Sequence, residues 1–173
     1  MKQRYDPERH HRRSMRLRGY DYSRAATYFV TICTYQRECL LGEVVDGRVL
    51  LGALGRLVEE QWHAIPGHFD SVSVDAFVAM PNHVHGLIVI GRGGVTPPLR
   101  KPTLGRIVAY YKYQTTKAVN LFLDASGNRL WQRNYHDRIV RNKRELRAIR
   151  QYIRQNPAHW PDDPENPSQL VQG

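Results

Sequence analysis

The chain has 173 residues, of which 41% are hydrophobic, and a formal net charge of +10. This length allows one domain with a full core that needs no disulfide or structural metal. The positive charge favours a polyanionic partner, and nucleic acid fits better than an anionic membrane because no apolar run approaches the roughly 18 residues of a membrane span. No signal peptide is visible either, so we expect a cytoplasmic protein with no membrane partner.

The N-terminus is basic and has almost no apolar periodicity. Seven of its first nineteen residues are Lys or Arg. Such a segment cannot drive its own folding. We therefore predict a basic N-terminal arm over residues 1–20, which is either a solvated tail or a segment that lies along phosphates. Its candidate DNA-binding residues are Arg12, Arg13, Arg16 and Arg18.

The next segments predict a strand and a helix. Residues 28–34 are dense in aromatic and β-branched side chains, which is typical of a strand. Gly42, Asp46 and Gly47 mark turns. From Leu50 onward, apolar residues recur at helical spacing, and we expect this helix to end before Pro66.

Two strands are predicted over residues 72–80 and 83–90, joined by the tight Pro81-Asn82 connection of an antiparallel pair. Alternate side chains of a strand share a face, so His83 and His85 point the same way, about 7 Å apart, and can bind one metal ion. A lone His-x-His is a weak signal, because satisfied surface histidines also produce it. The pattern therefore predicts a metal site only if another motif accompanies it.

Apolar residues also recur at helical spacing from Leu104 to Val119, which predicts a second amphipathic helix. Cations and tyrosines alternate on its other sides, which suits DNA because phosphates attract the cations and bases stack on the rings. A solvated helix face would look similar. The candidate DNA-binding residues here are Arg106, Lys112 and Lys117.

Residues 130–140 predict a fourth strand. Asn142 then offers a helix N-cap, with Glu145 three residues later, and the helix is expected to end at Asn156-Pro157. Tyr152 lies one turn before Asn156 on the same face, at the flank of the apolar stripe, where a core-edge tyrosine is the plain alternative. Residues 161–173 have no periodicity and predict an irregular C-terminal tail.

The order of elements predicts the fold class. Strand, helix, strand, strand, helix and strand match the ferredoxin-like βαββαβ pattern of an α+β protein, an antiparallel sheet with both helices on one face. An additional C-terminal helix carries the tyrosine. We expect the other face of the sheet to stay open for a ligand.

Three motifs occur in order: MPNHVHG at residues 80–86, LWQRNYHD at 130–137 and YIRQNPAHW at 152–160. Together they strongly resemble the REP-associated tyrosine transposases, which are HUH single-strand DNA transposases and nucleases. The likeness runs from about Arg12 to Trp160. We accordingly assign residues 21–160 to an HUH transposase and nuclease domain.

The resemblance implies a chemistry. His83 and His85 match the ligands of a divalent metal, Mg²⁺ or Mn²⁺, and Asn156 takes the third-ligand position. Tyr152 matches the nucleophile that attacks single-stranded DNA near REP-type hairpins and leaves a 5′-phosphotyrosine, which needs no nucleotide cofactor because the bond energy is kept. Tyr135 is the rival nucleophile. REP-associated members look like monomers, and we expect a monomer here, with the alternative being a dimer that exchanges tyrosine helices, as in some HUH relatives.

Two other functions remain open on the residues. A protein that only binds REP hairpins would need the basic surfaces, whereas catalysis needs His83, His85 and Tyr152 together. A small zinc hydrolase would use the two histidines, a carboxylate and water, and it would leave no covalent adduct with DNA.

Overall fold

The computed structural model describes residues 21, 24–91 and 102–169. The predicted arm, with Arg12, Arg13, Arg16 and Arg18, lies outside the described residues. In chain order the elements are β1 (Ala26–Cys33), β2 (Gly42–Val45), β3 (Arg48–Leu51), α1 (Ala53–His68), β4 (Val72–Met80), β5 (His83–Ile90), α2 (Leu104–Phe122), β6 (His136–Ile139) and α3 (Lys143–Gln155). Short 3-10 turns cover Tyr35–Arg37, Asn156–Asp162 and Pro167–Gln169.

The main sheet has the strand order β4-β5-β1-β6, with every neighbouring pair antiparallel. This confirms the α+β class and the βαββαβ pattern, to which the β2-β3 hairpin is added. Among the described residues, no helix combines the length and the apolar character that crossing a bilayer requires.

One face of the sheet forms the core with α1 and α2. Tyr28, Val30 and Ile32 alternate along β1 and are fully buried on this face. Trp62 of α1 packs against the backbone at Gly86 so closely that a Cβ there would collide with its ring. Gly86 lies on the core face of β5 with Val84 and Ile88, whereas His83 and His85 lie on the opposite face.

The opposite face is only partly open, which corrects the prediction of a fully open ligand face, because α3 covers the β4 side while Arg138 of β6 stays exposed. Helix α3 packs there with Ile153 buried and Arg150 paired to Asp75 of β4. Helix α3 begins with the predicted N-cap, since Asn142 Oδ1 accepts a hydrogen bond from the N–H of Glu145 at 2.9 Å. The amphipathic helix buries its apolar stripe here because the core face is already occupied.

Residues 130–135 do not form the predicted strand. Only Trp131 makes an isolated bridge, to Thr34, and β6 begins at His136. The ammonium of Lys112 accounts for the difference, because it donates to the carbonyls of Gln132, Arg133 and Asn134 that a ladder would otherwise use.

Two smaller features of the first half also differ from expectation. The turn at Asp46-Gly47 joins two strands, β2 and β3, that the sequence reading did not assign. Helix α1 continues through Pro66 to His68, one turn beyond the predicted end.

Candidate metal and nucleophile site

The imidazole rings of the two histidines of β5 approach each other through their Nε2 atoms. His83 Nε2 and His85 Nε2 lie 3.1 Å apart, and both residues are buried. Their common face follows from the strand register, in which Cys33 pairs with His83 and Thr31 with His85. The convergence that the alternation predicts is therefore present.

A second layer of hydrogen bonds fixes both rings. The amide of Asn82 donates to the carbonyls of Arg37 and Glu165, so its oxygen faces His83 Nδ1 at 2.9 Å. His83 Nδ1 must then carry the proton, and its Nε2 keeps a lone pair directed into the site. His85 Nδ1 lies 2.8 Å from the Thr31 hydroxyl, which allows the same tautomer.

Both imidazoles favour the neutral form. Burial lowers the pKa of His83 to about 4, partly offset by the carboxylate of Asp163. Burial, followed by the charge of His83, holds the pKa of His85 well below its usual range. Neutral imidazoles are the form that binds metal, so the environment prepares the pair as ligands at neutral pH.

Tyr152 reaches the same point from α3. Its phenol oxygen lies 3.5 Å from His85 Nε2, and its ring stands edge-on to Phe29, which stacks on His85. Burial, then the Asp163 carboxylate, raises the pKa of Tyr152. The phenol is therefore protonated at neutral pH unless positive charge is brought to the site.

Asn156 and Asp163 supply oxygen donors around the histidines. Asn156 is buried, and its Oδ1 has no hydrogen-bond partner among the described residues. A carboxylate oxygen of Asp163 lies 3.9 Å from His83 Nε2, and one ligand atom from each of His83, His85 and Asp163 falls within 4.8 Å of the others. An orphaned buried carbonyl beside such a cluster fits a divalent cation.

Asp163 was not predicted as a site residue, because it lies in the Pro- and Asp-rich tail, where no periodicity predicts contact with a strand. The structure buries Asp163 and Asn166 there, and Arg37 pairs with Glu165 at 3.0 Å. The predicted domain limits of 21–160 and 161–173 stay a prediction.

The rival Tyr135 lies elsewhere. It packs against the core cluster, and the Lys112 ammonium stands 5.7 Å from its ring centroid. Nothing among the described residues places it beside the histidine pair, whereas Tyr152 contacts that pair directly.

The structure separates the predicted DNA contacts of α2. Arg106 and Lys117 are exposed on the helix face directed away from the sheet, and so away from His83 and His85. Lys112 is partly buried, and burial lowers its pKa to about 8. It binds three loop carbonyls instead of facing solvent.

Helix α3 carries a basic surface that was not predicted from the sequence. Five of the thirteen residues of this helix are Lys or Arg, against one acidic residue. The density of basic residues in this segment of the sequence could have predicted the surface. They are Lys143, Arg144, Arg147, Arg150 and Arg154.

Comparison with solved structures identifies the class of fold. The structure of a REP-associated tyrosine transposase bound to a REP hairpin aligns with a TM-score of 0.58 at 20% identity, covering 83% of this chain and 72% of that one. A Deinococcus radiodurans R1 protein, provisionally described as a transposase, aligns with a TM-score of 0.49 at 19% identity, covering 80% of this chain and 95% of that one. The first alignment shows that this chain shares the fold of that transposase, as the sequence motifs predicted.

A sequence relative gives the family. An uncharacterized protein of Haemophilus influenzae Rd is 36% identical over 177 residues, covering 94% of this chain and 97% of that protein. The chain belongs to the same family as this Haemophilus protein. No protein-family model matches it.

Proposed function

We propose that the protein is a metal-dependent, tyrosine-type single-strand DNA endonuclease and transesterase that acts near REP-type hairpins in the cytoplasm. The observation that carries the proposal is the 3.5 Å approach of the Tyr152 phenol oxygen to His85 Nε2, where the two imidazoles converge. The fold shared with a transposase that is bound to a REP hairpin supports the choice of substrate.

His83, His85 and Asn156 would hold a divalent cation, with Asp163 as a further oxygen donor. Imidazoles alone suit zinc or nickel, but an amide and a carboxylate oxygen move the set toward Mn²⁺ or Mg²⁺. When bound, the cation supplies positive charge that favours the phenolate and neutralises the oxygens of the scissile phosphate.

Tyr152 is the nucleophile in this proposal. Its phenolate oxygen bonds to phosphorus as the bond to the 3′ oxygen breaks, which leaves a 3′ hydroxyl and a 5′-phosphotyrosine. The side chain is 48% exposed, so the phenol proton can pass to solvent and a DNA strand can approach. The new phosphodiester retains the energy of the old one, and rejoining needs no ATP.

The remaining residues of this face bind and orient the strand. The basic side chains of α3 lie on the helix that carries Tyr152, and Arg138 of β6 shares the sheet face with Phe29 through the register. These cations would attract phosphates next to the site. Because Tyr152 reaches His85 of its own chain, we also propose a monomer that acts in cis.

The test uses purified protein, a labelled REP-hairpin oligonucleotide and Mn²⁺, with SDS gel electrophoresis as the measurement. We expect an SDS-resistant protein-DNA band from the wild type and from Tyr135→Phe, and its absence in Tyr152→Phe. A band that persists in Tyr152→Phe and disappears in Tyr135→Phe would make Tyr135 the nucleophile.

The binding-only function is tested by His83→Ala. The proposal predicts that this variant loses cleavage while it keeps hairpin affinity, because the ring holds the cation and does not grip DNA. Wild-type protein that binds cognate hairpins but never forms the adduct would favour the binding module. Hydrolysis without an adduct would favour the zinc hydrolase.

A further inference from the structure

A cavity lies beyond the C-terminal end of β1, formed by the Tyr35–Arg37 turn and the loop before β6. Its volume is about 620 Å³, within the range of ligand pockets. The lining side chains are aromatic, basic or amide and include no carboxylate: Tyr35, Gln36, Arg129, Trp131, Gln132 and Arg133.

The lining combines stacking surfaces with exposed cations. The Arg129 guanidinium lies 5.7 Å from the Tyr35 ring centroid, and Arg129 and Arg133 are both exposed. The indole N–H of Trp131 donates to Thr115 at 2.7 Å, which holds that ring in place. Aromatic rings bind nucleobases and guanidinium groups bind phosphates, so this lining suits a nucleotide.

The walls of the cavity are held before any ligand arrives. Lys112 donates to three successive carbonyls from Gln132 to Asn134, and Tyr35 N–H donates to Leu130 at 2.8 Å. Gln36 has φ of 54°, a left-handed conformation that costs free energy in a residue with a side chain. A rigid, locally strained wall is typical of a binding site.

The cavity borders the end of the sheet that carries the histidine pair. Cys33 is the register partner of His83, and Tyr35 follows it by two residues, about 7 Å of extended chain. Thr34 N–H also donates to the carbonyl of Asn82 at 2.8 Å, directly before His83. Tyr35 therefore lies at the same end of the sheet as His83.

A second cavity continues the groove. It has a volume of about 520 Å³, shares Tyr35 and Arg129 with the first, and is bounded by Leu40, Leu123 and the carboxylate of Glu38. The mixed apolar and acidic lining does not suit a phosphate. The basic cavity is the one that matches a nucleotide.

We propose that this cavity binds an unpaired nucleotide of single-stranded DNA next to the cleaved phosphate. The base stacks on Tyr35, and Arg129 and Arg133 bind the flanking phosphates. The inference deepens the proposed function and rests on it, since the strand is taken to be the substrate of Tyr152. Lys112 is a positioning residue that holds the loop carrying Arg133.

The first test measures binding without cleavage. In a Tyr152→Phe background with chelator present, fluorescence anisotropy follows a labelled, unstructured oligodeoxynucleotide. We expect Tyr35→Ala to weaken binding by about tenfold and Tyr35→Phe to stay within about twofold, since the phenyl ring still stacks. Arg133→Gln should weaken binding, and the matched control Arg56→Gln, an exposed arginine of α1, should not.

The second test locates the contact. The same oligodeoxynucleotide carrying iodouracil is irradiated, and cross-linked peptides are identified by mass spectrometry. The proposal expects cross-links at Tyr35. Folded Tyr35→Ala that binds as tightly as Tyr35→Phe, or cross-links confined to other segments, would overturn it.

These tests distinguish a failure of the cavity proposal from a failure of the proposed cleavage mechanism. Loss of binding in Tyr35→Ala supports the cavity even if wild-type protein forms no covalent adduct, which would refute only the cleavage mechanism. Adduct formation with unchanged binding in Tyr35→Ala refutes only the cavity.

Discussion

At the scale of single residues, burial sets the charge of the two histidines. His83 is fully buried, and its pKa falls to about 4 because the protonated ring is poorly solvated there. Asn82 and Thr31 hold the rings, so the lone pairs do not need to be reoriented when a cation arrives. The same burial couples stability to pH.

The metal-free protein should lose stability in acid. Between about pH 6.5 and pH 4 the unfolded chain binds a proton at His83 that the folded chain does not, so the free energy of unfolding falls as the pH falls. His85, whose pKa is also held below its usual range, adds to the loss in the same direction. Urea unfolding in the presence of chelator measures it.

The matched variants for this experiment are His83→Gln and His63→Gln, the latter at an exposed position of α1. His83→Gln should make the pH dependence shallower, with the remainder carried by His85, and His63→Gln should leave it as in the wild type. A slope that is the same in His83→Gln as in the wild type would contradict the burial argument.

At the scale of elements, α3 is the part that completes the site. It brings Tyr152 to β5, and the pairing of Arg150 with Asp75 of β4 fixes where the helix lies on the sheet. This ion pair is solvent-exposed at Arg150, so screening by water keeps its contribution to stability small. Its larger effect is on the position of the phenol.

Asp75→Asn should therefore impair the reaction more than the fold. We expect little loss of stability and a fall of about tenfold or more in the rate of adduct formation, because small displacements of a nucleophile are costly. The exposed Asp70→Asn, which makes the same charge change just before β4, is the control. Equal rates in the two variants would show that this ion pair does not position Tyr152.

The elements also show why only part of the site was predictable. The alternation of His83 and His85 and the capping of α3 by Asn142 are local patterns, and both are present. Asp163 and the loop carbonyls bound by Lys112 depend on contacts between segments far apart in sequence, which no periodicity encodes. That α3 would cover part of the ligand face was not predicted, because tertiary packing decides where this helix lies on the sheet.

At the scale of the whole molecule, charge and fold have separate roles. The fold brings the histidines and Tyr152 together on one face, while the net charge of +10 favours attraction to a polyanion such as the proposed DNA substrate. Residues 1–20 contain seven Lys or Arg and two acidic residues, which is half of that excess. The arm should therefore affect affinity without affecting the chemistry.

Deleting residues 2–20 should lower both the affinity for single-stranded DNA and its dependence on salt. Each lost phosphate contact reduces the slope of log Kd against log salt by about 0.7. Titrations at several salt concentrations measure the slope, with the full chain as reference. An unchanged slope would mean that the arm does not contact phosphates, and loss of adduct formation at saturating DNA would give it a role in catalysis.

The proposed cleavage mechanism requires a cation and the phenol of Tyr152 to meet beside the histidines of β5. The most direct measurement is a crystal structure of the protein with Mn²⁺, in which anomalous scattering locates the ion. We predict an ion within coordination distance of His83 Nε2 and His85 Nε2, with Asn156 or Asp163 as an oxygen ligand and Tyr152 beside it. An ion bound elsewhere, with the histidine pair metal-free at saturating Mn²⁺, would contradict the account.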